Sequence, residues 1–172
     1  MFNENERNGG GNVPISLERL KVPDEFVLTQ EEIIEEAVRY LKKNGWTARV
    51  ESSIGGHDVQ AGKMEWTAYL KCKGSRSKRQ KEGMVYDNTQ LRANAADQVE
   101  KLMRVQEDAD TPSLFIMACP GLDRIKWIVS KLSGGLDKLD IIRMWIYPNG
   151  VVKWDIPPHL LHVAKSLGIE KI

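Results

Sequence analysis

The chain has 172 residues, 41% of them apolar and 28% charged, with 25 Lys plus Arg against 24 Asp plus Glu for a formal net charge of +1. That is the length of one domain with apolar material enough for a core, which excludes wholesale disorder, and a near-neutral total selects no partner by itself. No apolar run reaches the length of a membrane span, the opening MFNENERNGGGN lacks the pattern of a signal peptide, and Cys72 and Cys119 make neither a disulfide framework nor a zinc site, so a reduced, soluble, cytoplasmic protein without membrane contact is expected.

Residues 1–14 are polar, carry Gly9-Gly10-Gly11 and are expected to form a disordered tail before a single domain over 15–172. Thr29 and Glu32 have capping-box spacing, and Glu31, Glu35 and Glu36 suit the first turns of a helix. Ile33, Ile34, Ala37, Val38 and Leu41 share one face of it, and Lys42, Lys43 and Gly45 close it. Trp46, Ala48 and Val50 alternate with Thr47, Arg49 and Glu51 as in a first strand, which Gly55-Gly56 breaks. A second strand is expected from about His57 to Ala61, then a turn at Gly62-Lys63. In a third, Met64, Trp66, Ala68, Leu70 and Cys72 face one way and Glu65, Thr67, Tyr69, Lys71 and Lys73 the other.

A helix follows from about Asp87 to Gln106, with Leu91, Ala95, Val99, Leu102 and Met103 inward. The unbroken apolar run Ser113–Cys119 reads as a buried strand, ended by Pro120-Gly121. A helix from about Leu122 to Leu132 ends at Ser133-Gly134-Gly135. Strands Ile141–Tyr147 and Val151–Ile156 flank the turn Pro148-Asn149-Gly150, and His159–Leu167 forms a last short helix. This order predicts an α/β domain with one mixed sheet of four to six strands and helices on its faces. The strand over 65–73 should be central, with Asp58 on its antiparallel neighbour and the 113–119 strand on its other side. The five tryptophans fit core positions, and the three scattered histidines have no metal-ligand spacing.

The neutral total hides segregation. Residues 1–40 hold nine acids and four bases, whereas residues 41–81 hold ten bases and three acids. The densest stretch, Lys71-Cys72-Lys73-Gly74-Ser75-Arg76-Ser77-Lys78-Arg79-Gln80-Lys81, is a candidate phosphate-contacting loop, because bases placed near a nucleic-acid backbone release condensed counterions. Lys71, Arg76, Lys78, Arg79 and Lys81 are its candidate nucleic-acid contacts; a solvated loop with no ligand is the bland alternative.

Gly56-His57-Asp58-Val59-Gln60 followed by Tyr69-Leu70-Lys71-Cys72-Lys73-Gly74 resembles the PD-(D/E)xK nuclease superfamily over roughly Glu31 to Ile156. In that family an Asp begins the second strand and a carboxylate-x-Lys triplet, commonly followed by Gly, lies on the third. The resemblance implies a restriction-endonuclease-like fold and Mg²⁺-dependent phosphodiester hydrolysis. There, two carboxylates and a backbone carbonyl hold a hard cation that polarises the phosphate and lowers the pKa of a bound water. Carried over, Asp58 takes the first ligand position, the Cys72 carbonyl the backbone-ligand position and Lys73 the catalytic-lysine position. Gln98 takes the place of a helix Gln that contacts the site, with Gln90 as competitor.

The departure is Lys71, which stands where the family has Asp or Glu. A positive charge there removes a ligand, repels a divalent cation and offers Asp58 an ion-pair partner. Glu51 or Glu36 are candidate replacement ligands. The expectation is therefore a nucleic-acid-binding protein, with DNA favoured, whose metal site is degraded and whose cleavage is weak or absent. The alternatives are an active Mg²⁺-dependent endonuclease with a relocated carboxylate, and a non-catalytic interaction or scaffold subunit. A homodimer or a larger complex is the assembly such nuclease domains suggest.

Overall fold

The computed structural model describes residues 14–51 and 56–170; residues 1–13 of the expected tail, and Gly55 of the expected strand break, lie outside the described residues. A two-residue strand, β1 (Ile15–Ser16), begins them. Thr29 then starts α1 (Gln30–Lys43): its Oγ1 accepts from the Glu32 N–H at 3.3 Å, and Glu32 Oε2 accepts from the Thr29 N–H at 2.7 Å. This reciprocal pair satisfies two donors that a bare helix end leaves open. The face made by Ile33, Ala37 and Leu41 is buried.

Next come β2 (Thr47–Val50), β3 (Val59–Lys63) and β4 (Trp66–Cys72), an antiparallel meander. After it, β5 (Met84–Val85) pairs antiparallel with β1, and α2 (Asn88–Asp108) starts at Asp87, whose side chain accepts from the Gln90 N–H. Then follow β6 (Ser113–Pro120), α3 (Asp123–Ser130), α4 (Ser133–Lys138), β7 (Ile141–Ile146), β8 (Val152–Asp155) and α5 (Leu161–Ser166). The six long strands form one mixed sheet in the order β2-β3-β4-β6-β7-β8, with β4, β6 and β7 parallel to one another and both flanks antiparallel. As expected, β4 is interior, flanked by the Asp58 strand on one side and the apolar β6 on the other.

Each sheet face carries its own core. Ile33, Leu41, Leu70, Ile116, Met144, Trp154 and Leu167 cluster beneath α1 and α5. Leu91, Leu102, Met117, Ile125, Leu136 and Trp145 cluster beneath α2, α3 and α4. That β6 supplies both clusters explains its unbroken apolar run. No helix among the described residues is long and apolar enough to cross a membrane.

Four local expectations are corrected. The β3–β4 turn falls at Met64-Glu65, because Gly62 and Lys63 stay in the strand opposite Thr67 and Trp66. Met64 therefore leaves the inward face, is 85% exposed and takes a positive φ of 55°. Met103 is exposed, and Val105 occupies the inward position on α2 instead. The helix expected over 122–132 already ends at Ser130, and Ser133-Gly134-Gly135, expected to end it, instead opens α4, anchored by the buried Leu136.

Candidate functional site

The end of β4 gathers most of the residues singled out from the sequence. Asp58 stands one position before β3, and its N–H donates to the Leu70 carbonyl at 2.8 Å, which fixes its backbone across from Lys71. Its two carboxylate oxygens then divide their work. Oδ2 accepts from the Cys72 N–H at 2.8 Å, and Oδ1 accepts from Lys71 Nζ at 3.3 Å. The pair is sealed from water: Asp58 is 4% and Lys71 6% exposed.

Gln98 approaches from α2. Its Nε2 donates to the Lys71 carbonyl at 2.8 Å and the Ala118 carbonyl at 3.1 Å, tying β4 to β6, while its Oε1 accepts from Cys119 Sγ at 3.3 Å. Gln90, the competing glutamine, bonds Asn94 Oδ1 at 2.8 Å instead. Lys73, one step past β4, donates its backbone N–H to Ala118 O at 3.1 Å and places Nζ 3.0 Å from Asp97 Oδ2. Burial works against ionising Asp97. The hydrogen bond and charge of Lys73, with Lys101 and Lys71 behind it, nonetheless hold its carboxyl below the usual aspartate value. Asp58, Lys71, Lys73 and Gln98 therefore lie together on the α2 face. Cys72 points the other way, into the α1 core. Burial pushes its thiol well up, and pushes that of Cys119 up to about 12.

The donor set does not fit the Mg²⁺ that the family resemblance implies. A hard cation wants several oxygens, and both oxygens of Asp58 are engaged, one of them by an ammonium. Among the described residues no three His, Cys, Asp or Glu side chains converge on a common point. Glu51 donates its N–H to the Asp58 carbonyl at 2.8 Å, yet its carboxylate pairs with Arg49. Glu36 pairs with Arg39 on α1 and lies by the β7–β8 turn, 3.8 Å from where a Cβ on Gly150 would stand. The position a cation would take against Asp58 holds the Lys71 ammonium.

The basic loop is built on a rigid foot. Ser75 N–H donates to Leu28 O at 2.7 Å, Leu28 N–H donates to Ser75 Oγ at 3.2 Å, and Thr29 bridges to Arg76. A Cβ on Gly74 would stand 2.5 Å from Leu28 O, so only glycine fits this crossing. The far end is tied by Leu17 N–H to Gly83 O at 2.8 Å. Within the loop the five candidate contacts separate by role. Lys71 is buried, and Arg76 braces the loop by donating from Nη2 to Gln80 O at 2.9 Å. Lys78, Arg79 and Lys81 are exposed, Lys78 with a loose pair to Glu31 at 3.5 Å.

Two elements of the site escape sequence reasoning. Asp97 is the neighbour of Gln98, and only the docking of α2 on β4 brings it to Lys73. Asp24 forms a buried bidentate pair with Arg124 at 2.7 and 2.8 Å, and Arg124 also donates to Tyr86 O and Asn88 Oδ1. Through Arg124 the segment before α1 is tied to α3, and α3 to the start of α2, and nothing local announces partners so distant in sequence. No protein-family model matches the chain, and neither a curated protein nor a solved structure matches it.

Proposed function

We propose that the protein binds nucleic acid, duplex DNA being the form to test first, on a restriction-endonuclease-like fold, and that it does not hydrolyse the strand at the Asp58 position. The observation that carries this reading is position 71: a buried ammonium 3.3 Å from Asp58 stands where the resemblance calls for a second carboxylate ligand and takes the place of the cation. The binding half is supported by Lys78, Arg79 and Lys81, which project from a loop braced on both sides. Mobile bases lose entropy on binding; bases on a fixed foot lose less.

Fluorescence anisotropy with a labelled duplex tests the reading. With about 0.9 unit of slope in log K against log salt per phosphate contact, the Lys78→Glu, Arg79→Glu, Lys81→Glu triple variant should lose about three units. Supercoiled plasmid should stay intact in Mg²⁺ or Mn²⁺. Metal-dependent nicking that Asp58→Ala abolishes would restore the endonuclease reading. Absence of any binding by the native chain would leave a protein-interaction or scaffold domain.

A further inference from the structure

A second group of bases lies outside the site described so far. Tyr147 follows β7 directly, and a Cβ on Gly121 would stand only 2.2 Å from its Cζ, so the ring is seated on bare backbone. Phe26 packs on it with ring centroids 5.8 Å apart. Around this fixed ring stand two lysines from different elements. Lys126 of α3 donates from Nζ to the Tyr147 hydroxyl at 3.1 Å, and Lys153 of β8 places its Nζ 5.3 Å from the ring centroid. The ring gathers both ammonium groups, with Nζ of Lys126 5.8 Å and Nζ of Lys153 5.3 Å from its centroid, and the hydrogen bond to Tyr147, then Asp123 and Asp155, favour the charged form of Lys126. Asp155 also accepts from Trp145 Nε1 at 2.7 Å, and Asp123, 86% exposed, is 4.0 Å from Lys126.

The position of this cluster relates it to the basic loop. Phe26 is three residues from Thr29, whose backbone bridges to Arg76 at the foot of the loop. Three extended residues span about 11 Å at most. With about 3.4 Å of helix axis per phosphate on one strand, the two footings lie a few phosphates apart.

We propose that Lys126 and Lys153, held around Tyr147, form a second phosphate-binding cluster that grips the sugar-phosphate backbone of the nucleic acid bound by the 76–81 loop. The proposal rests on the nucleic-acid reading and extends its footprint from the loop across the ends of β6, β7 and β8. Both lysines have partly or fully exposed side chains, so their replacement leaves the cores untouched.

The test measures duplex binding against salt for the native chain, the Lys126→Ala/Lys153→Ala variant, the Lys126→Arg/Lys153→Arg variant and the Lys78→Glu/Arg79→Glu/Lys81→Glu variant. The alanine pair should lower the slope by about two units, and the arginine pair, which keeps both charges, should leave it near native. A native slope in the alanine pair, while the loop variant loses its share, overturns the second cluster and leaves the nucleic-acid reading standing. No duplex binding by the native chain overturns both.

Discussion

A buried lysine against a buried aspartate is poor value as a stabilising device, since desolvating both charges consumes most of what their attraction returns. Breaking the pair from one side is another matter. Lys71→Ala would strand the Asp58 carboxylate at 4% exposure with only the Cys72 N–H to hold it. Urea denaturation should show a loss of about 3–5 kcal/mol. Asp58→Asn combined with Lys71→Met keeps an acceptor for Cys72 and removes both charges, and should lie within about 1 kcal/mol of native or above it. A loss in the double variant as large as in Lys71→Ala would assign the pair a structural role. Lys71→Glu asks the complementary question. Two carboxylates about 4 Å apart repel by about 4 kcal/mol at an effective dielectric of about 20, so this variant should melt early in chelator. Mn²⁺ or Mg²⁺ should recover the lost stability, because paired acids are what a hard cation binds, and a further Asp58→Ala change should abolish the recovery. Calorimetric titration reads it directly. Titrations of Lys71→Glu that show no metal binding would mean that the surrounding groups no longer accept a cation.

At the scale of elements, what could be read in the sequence follows from what is locally recorded. Alternation in β4 and the solid apolar run of β6 are direct imprints of burial on one face and on two, so order and neighbours followed from them. Strand parity likewise puts Lys71 and Lys73 on one side, and adjacency brings Asp58 to Lys71. The helix α4 was not legible, because its Ser133-Gly134-Gly135 start has the composition of a stop and the element is held by Leu136 packing beneath it. Nor were Asp97 and Asp24, whose partners are chosen by helix docking and by a contact across the fold. Gly74 stands between these cases: its place directly after Lys71-Cys72-Lys73 is visible, while its packing against Leu28 and Thr29 is not. Gly74→Ala would force those backbones apart, at a cost of about 1–3 kcal/mol. It should also weaken duplex binding without changing any charge, since the foot of the basic loop would shift. Unaltered affinity in a destabilised Gly74→Ala protein would show that the loop finds its ligand without the foot.

For the whole molecule, the two limbs of the response of stability to pH have different owners, surface carboxylates on the acid side and core thiols on the alkaline side. Asp97 and Glu31 both have carboxyls held below their usual values, Glu31 chiefly by a backbone hydrogen bond with help from Lys78. Groups lowered in the fold add stability above their unfolded pKa and lose it as pH falls through the folded one, so these two shape the acid limb below about pH 4. On the alkaline side the buried thiols come first. Burial raises Cys72 well above its ordinary value and Cys119 to about 12. Groups raised in the fold give their full contribution below the unfolded pKa, about 8.5 for a thiol, and lose it as pH climbs toward the folded value. Between about pH 8.5 and the folded values the unfolded chain releases two protons that the folded chain keeps. Each thiol should then tilt the balance toward unfolding by about 1.4 kcal/mol per pH unit. Urea midpoints taken between about pH 7 and pH 10.5 should therefore be flat at first and then fall. Cys119→Ala costs some stability at every pH through the cavity it leaves, so the slope is the readout that matters. That slope should halve in Cys119→Ala and in Cys72→Ala, and nearly vanish in the double variant. An alkaline limb equally steep without either cysteine would place the titrating groups elsewhere, with Tyr86, also raised by burial, the next to replace.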